Sequence, residues 1–186
     1  MRIAISAHLL HRVFVLTIGS CLIALCTGGV AVTAEEQDPM SVVQAYVKAL
    51  DSGDAAAAAS VFADNAIHIH PIAAGACSRQ SPCIGRRAIL DDLRNRTADH
   101  QCITLLDGAV NGSIVRGLAE LRNDSLRAMG IERMLVSSTW LVAGGKAVAL
   151  YVLPDLTDAQ TAASAAISAG IQEPGAPLPS PSVACG

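Results

Sequence analysis

An uncharged apolar run from Val13 to Ala34 opens the pattern, and only after it does the chain alternate as a folded domain must. DPMSVVQAYVKALDSG has helical spacing: Asp38 suits the cap, Pro39 the first turn, and Val43, Val47 and Leu50 share a face. A short second helix is expected in DAAAAASVFADNA, where Asp54 can cap, five alanines favour helix, and Val61 with Phe62 supply bulk for docking. AIHIHPI alternates and stops at a proline, which predicts a strand with Ile67 and Ile69 on one side and His68 and His70 on the other. SPCIGRRAILDDLRNRT returns to helical spacing, with Ile89 and Leu93 together and Asp92 and Arg96 as an exposed i,i+4 pair.

From Cys102 the segments ITLLDGAV, SIVRGLAEL, IERMLVSSTWLV and KAVALYVL read as four strands of a meander, with DG, NG, NDSLRAMG and AGGK as turn signals. Leu126 and Met129 allow a short helical turn between the second and third. An alanine-rich helical segment is expected near Ala159 to Ala169, and beyond it Pro174, Pro177, Pro179 and Pro181 favour extended chain. Residues 35–157 are therefore expected to form one domain, and 158–186 an alanine-rich and then proline-rich tail.

Charge alters the reading of the first residues. Arg2 and Arg12 precede the uncharged run, no acidic residue occurs before Glu35, and small residues mark the VTA/EE boundary, so residues 1–34 read as a signal peptide. The mature chain would then be secreted or periplasmic, with no stable membrane span after processing. A retained membrane anchor is the runner-up, and Ile18-Gly19-Ser20-Cys21 resembles a lipoprotein cleavage box, so lipidation stays open. Removal through Ala34 turns the formal charge of -3 into -5 and leaves Tyr46, Phe62, Trp140 and Tyr151 as the aromatic residues. With so few rings for stacking, and with Asp91, Asp92 and Asp99 among Arg79, Arg86, Arg87, Arg94 and Arg96, no nucleic-acid partner is expected.

Cys77, Cys83, Cys102 and Cys185 would remain in a compartment that permits disulfides. Cys77 and Cys83 bracket the polar loop SRQSP, where a bridge would contribute about 2 kcal/mol before strain. Pairing of Cys102 with Cys185, and free buried thiols, are the alternatives. His68 and His70 at i and i+2 of a strand can both reach one ion, but no spacing nominates a third ligand among His100, Asp64 and Glu120, so no metal site is expected. Nucleotide loop, nucleophile elbow, HExxH and redox CxxC motifs are absent.

The order VVQAYVKALDSGDAAAAASVFADNAIHIHP, CIGRRAILDDLRNR, IERMLVSSTWLVAGGKAVALYVLPD resembles the NTF2-like superfamily, in particular its SnoaL-like and steroid-isomerase-like branches, over about residues 39–156. The resemblance implies an α+β domain whose cone-shaped, curved antiparallel sheet packs against three N-terminal helices, with a pocket between helices and sheet. His68 and His70 would be the catalytic candidates in that pocket, one moving a proton while another donor stabilises an oxyanion. Tyr46, Asp64 and Trp140 would be the substrate-binding candidates, against packing for Tyr46 and Trp140 and turn capping for Asp64. The superfamily spans isomerases, dehydratases, hydrolases and noncatalytic modules, so the fold leaves the chemistry open. The resulting expectation is an exported domain that binds a small apolar or weakly anionic ligand, with acid/base catalysis and no cofactor. A noncatalytic dimeric assembly or binding module is the alternative, and a homodimer is expected under either reading.

Overall fold

The computed structural model describes residues 38–70 and 76–170. The leader with its cleavage site, Cys21, Cys185 and the proline-rich end fall outside the described residues. In chain order the elements are α1 (Pro39–Asp51), α2 (Ala55–Ser60), β1 (Phe62–Ile69), β2 (Cys83–Ile84), α3 (Arg86–Ala98), β3 (Cys102–Asn111), β4 (Ile114–Arg122), α4 (Asp124–Ala128), β5 (Met134–Ala143), β6 (Lys146–Pro154) and α5 (Ala159–Ser168). The strands form one six-stranded sheet in the order β2-β1-β6-β5-β4-β3.

This corrects the expected fold class in three respects. Two helices precede the sheet, and the third enters only after β2. The sheet is mixed, because β1 runs parallel to β6 while every other pair is antiparallel. It is also open: β2 and β3 end the strand order with four strands between them, so there is no cone. Apolar alternation reports which side of a strand is buried but not which neighbour it pairs with or in which direction. The dipeptide Asp107-Gly108, expected as a turn signal, stays inside β3, where the pairing with β4 slips between Leu105 and Asp107. A side chain on Gly108 would come within 2.7 Å of Met40 Cε, so the end of the Met40 side chain from α1 occupies the space over that glycine.

Caps fix the helices as the sequence implied. Asp38 accepts from Met40 N at 3.1 Å and Asp54 from Ala57 N at 2.8 Å. The buried face of α1 carries Val42, Val43, Tyr46, Ala49 and Leu50, and packs with Phe62, Trp140 and Leu150 from the sheet. Gly85, at φ +85°, donates to Ala66 O at 2.8 Å and opens α3, tying that helix to β1. The alanine-rich segment of the expected tail is a docked helix: Thr161 and Ser164 are buried, and Leu135 N donates to Thr161 Oγ1 at 2.8 Å. No described helix is long and apolar enough to cross a membrane.

Phe62 is fully buried and packs edge-on to Tyr46 and stacked with Trp140, at centroid distances of 5.8 and 6.0 Å. Phe62→Ala should lower the unfolding free energy by about 3–5 kcal/mol in urea titrations, whereas Leu153→Ala on the exposed sheet face should stay within about 0.5 kcal/mol.

Candidate functional site

The alternation of β1 places its polar side inward. Ile67 is 42% exposed, whereas His68 is fully buried and His70 nearly so. The inward row is fixed from both flanks, since His68 pairs with Cys83 of β2 and with Leu150 of β6. The His68 ring stacks on Phe62 at 5.9 Å and tilts against His70 at 5.3 Å. Both nitrogens of His68 are buried without a hydrogen-bond partner.

α3 supplies the charges. Asp92 and Arg96 occupy the same stripe as Ile89 and Leu93, and the side chains of Asp92 and Arg96 are only 9% and 14% exposed. The expected exposed ion pair is therefore a buried one. Arg96 Nε donates to Asp92 Oδ2 at 2.6 Å, and His70 Nε2 donates to Asp92 Oδ1 at 3.3 Å. His68 Nδ1 stands 4.0 Å from Asp92 Oδ2. Burial pushes the Asp92 carboxyl up, but the His70 hydrogen bond and the Arg96 guanidinium outweigh it and hold the pKa at about 2. Burial, aided by Arg96 and His70, drives the His68 pKa well below 6.5, against the smaller pull of Asp92. His70 is lowered too, by burial first, with the Asp92 hydrogen bond opposing. At neutral pH the cluster is therefore one carboxylate, one guanidinium and two neutral imidazoles, with no net charge.

Beside this cluster a cavity of about 40 Å³ lies between α1 and the sheet, lined mainly by apolar side chains together with Tyr46, Arg96, Gln101 and Ser138. That volume holds about three water molecules. Arg96 belongs to both the ionic cluster and the cavity wall, whereas neither histidine lines the cavity. Tyr46 and Trp140 pack edge-on at 5.0 Å, and both line the cavity. Burial pushes the Tyr46 hydroxyl up to about 12, so it stays protonated as a donor. Arg96 Nη2 and Gln101 Nε2 are also buried without partners. Four of the five orphaned buried side-chain atoms among the described residues thus belong to His68, Arg96 and Gln101. Val47 and Leu105 line both this cavity and an open groove of about 470 Å³ bordered by Gln44, Lys48, Asp51 and Ser52, and so stand between them.

Of the residues singled out from sequence, His68, His70, Tyr46 and Trp140 are brought together. Asp64 is not: the β1–β6 pairing slips between Phe62 and Ile67, and the Asp64 side chain is 90% exposed and paired with Arg86 at 3.0 Å. Cys77 and Cys83 form a disulfide. The pairing of Cys102 with Cys185 lies outside the described residues. Sequence reasoning missed Asp92, Arg96 and Gln101. The spacing i, i+3, i+4, i+7 over Ile89, Asp92, Leu93 and Arg96 is the signal that could have found the first two, because it sets both charges on the apolar stripe of their helix.

No protein-family model and no curated protein matches the chain. Solved structures do. A candidate polyketide cyclase from Streptomyces antibioticus, IdmH, is 20% identical with a TM-score of 0.55, over 68% of this chain and 97% of that one. An LEH-like epoxide hydrolase of M. tuberculosis is 18% identical with a TM-score of 0.51, over 67% of this chain and 87% of that one. An NTF2-like protein of unknown function from Cytophaga hutchinsonii is 13% identical with a TM-score of 0.51, over 64% of this chain and 91% of that one. At these identities the likeness concerns the fold.

The buried histidines make stability depend on pH. In the unfolded chain they take up protons from about pH 6.5 downward, whereas in the fold they resist. The unfolding free energy should therefore be fully present above about pH 6.5 and fall as pH drops toward the lowered native values. Asp92, at about 2 against 3.8, adds a further loss below pH 3.8. Urea titrations between pH 7.5 and 5 should show this slope, and His68→Gln should flatten it.

Proposed function

Taking the NTF2-like fold as the premise, we propose that the cavity binds a small, mostly apolar molecule carrying one acceptor oxygen, and that the cluster beside it performs acid/base chemistry of the isomerase, dehydratase or hydrolase kind. The observation that carries this reading is that two residues lining an apolar cavity, Arg96 and Gln101, each hold a buried donor without a partner. Such groups are rare in folded proteins and call for a partner from outside the chain. Arg96, Gln101 and the protonated Tyr46 are the donors for a carbonyl or ether oxygen. A neutral oxygen suits the site, because the Arg96 charge is already matched by Asp92.

In the catalytic reading His68 takes the proton. It is neutral at physiological pH and lies beside the charged pair, while the Asp92–His70 hydrogen bond fixes the second ring. Charge developing on the substrate oxygen is met by Arg96 and Tyr46. A noncatalytic binding module is the second reading, favoured by one observation: neither imidazole lines the cavity as it stands. Affinity to the SnoaL-like and steroid-isomerase-like branches, and the exported location read from the leader, belong to the same proposal.

A homodimer is part of it as well. Outward-facing Ile84, Ile67, Ala149 and Leu141 are in cross-strand register over β2, β1, β6 and β5, with Ile84 65% exposed. Sedimentation should give a dimer for the native chain and a monomer for Ile67→Glu; a monomeric native chain removes this element.

Binding and chemistry separate in one experiment. A panel of ketones, enones and epoxides of three or four carbons, with hydrocarbons of matching shape, is screened by NMR for shifts at the Trp140 indole and then assayed for turnover. Arg96→Met should weaken binding of the oxygenated compounds at least tenfold. His68→Gln should retain binding and lose about 100-fold or more in turnover. Binding with unchanged turnover in His68→Gln would reject histidine chemistry, and absence of any binding would reject the site.

A further inference from the structure

Around His68 the chain also brings together a second set of groups, which shares Asp92 with the ionic cluster. A His68 nitrogen, the Cys77 sulfur and an Asp92 oxygen all lie within 4.8 Å of one another, and all three residues are buried. Both His68 nitrogens are without partners. With the disulfide closed, the Cys77 sulfur is bonded to Cys83 and is no ligand. We propose that reduction of the Cys77–Cys83 disulfide converts this corner into a zinc site formed by His68, Cys77 and Asp92.

The chemistry balances with a thiol reductant. Two thiols are oxidised to their own disulfide while Cys77 and Cys83 gain two electrons and two protons. Cys77 then loses its proton to solvent as its thiolate binds the cation. A thiolate, an imidazole and a carboxylate together select zinc over magnesium or calcium, and three protein ligands leave a fourth tetrahedral position open. Thiolate and carboxylate bring two negative charges to the ion, and with the Arg96 guanidinium on Asp92 the occupied site carries one net positive charge.

The geometry requires little movement. Ligand atoms around tetrahedral zinc stand about 3.4 Å apart, and His68 Nδ1 is already 4.0 Å from Asp92 Oδ2. Cys77 is held by more than its sulfur, because His70 N donates to Cys77 O at 2.7 Å. That bond survives reduction and keeps the thiol facing the imidazole. Arg96 and His70 each hold one oxygen of Asp92 and so orient the carboxylate, as the partners of metal ligands commonly do; Oδ2 would keep its Arg96 bond while binding the ion. The site needs no organic ligand and lies on residues that do not line the cavity, although it shares His68 with the proton-transfer reading.

Cobalt(II) is the probe, because a thiolate ligand gives it a charge-transfer band in the near ultraviolet. The full chain is titrated in oxidised form and after reduction with a phosphine, alongside Cys83→Ser and Cys77→Ser. Reduced protein and Cys83→Ser should take up one cobalt with the thiolate band, and zinc should displace it. The oxidised chain and Cys77→Ser should show no band, and His68→Gln in the Cys83→Ser background should bind at least tenfold more weakly. Both serine variants lose the same disulfide, so their stability cost is shared and they differ in which sulfur remains. Absence of the band in reduced protein and in Cys83→Ser, folded or not by circular dichroism, overturns the proposal. So does equal binding by Cys77→Ser.

Discussion

An ionised carboxylate inside an apolar domain has to be compensated, and the centre of this molecule is organised around doing so for Asp92. Removing a carboxylate from water costs several kcal/mol even after relaxation, and one partner rarely offsets that. Here a guanidinium one helical turn away takes one oxygen and the His70 imidazole, one residue past β1, takes the other. α3 and β1 are thereby fastened by a polar contact in addition to apolar packing. Because that contact turns His70 inward and His68 shares its strand parity, the outward side of β1 is left to Ile67, in reverse of the usual distribution for a half-buried strand.

Burial first of all keeps the imidazoles neutral, and the compensation of Asp92 adds to it. A positive charge is already in place on Arg96, and a second or third in so dry a region would be unmatched. Neutral imidazole can accept a proton or ligate a metal, so the electrostatics that stabilise Asp92 also set what His68 is able to do. Tyr46 lies at the junction, with its ring against Trp140 and Phe62 and its hydroxyl kept protonated by burial.

Much of this was legible from residues alone. Caps at Asp38 and Asp54, the strand breaks at the AGGK and NG turns, and the shared face of His68 and His70 follow from local rules that need no knowledge of the partner. Pairing direction did not follow, since β1 and β6 meet from opposite ends of the domain. Only the resemblance nominates Asp64, which reads from sequence as part of a turn before the strand; β1 instead begins at Phe62, and Asp64 stands in water on it, paired with Arg86. Asp92 and Arg96 read from sequence as solvated and are not. An i,i+4 acid–base pair is ordinarily solvated, and only its coincidence with the Ile89–Leu93 stripe distinguishes a buried one.

The parallel neighbour of the histidine strand also has a meaning in time. β6 is the last strand of the sheet to leave the ribosome, and β1 the first. Until the final hairpin arrives, β1 has only the two residues of β2 beside it. Contacts so distant in sequence form late, after the entropy of closing the intervening chain has been met. The chain therefore keeps its two imidazoles, its carboxylate and its thiols open to solvent through most of its birth. Whatever first meets them, be it an oxidant, a metal ion or a proton, does so before there is an inside to the protein.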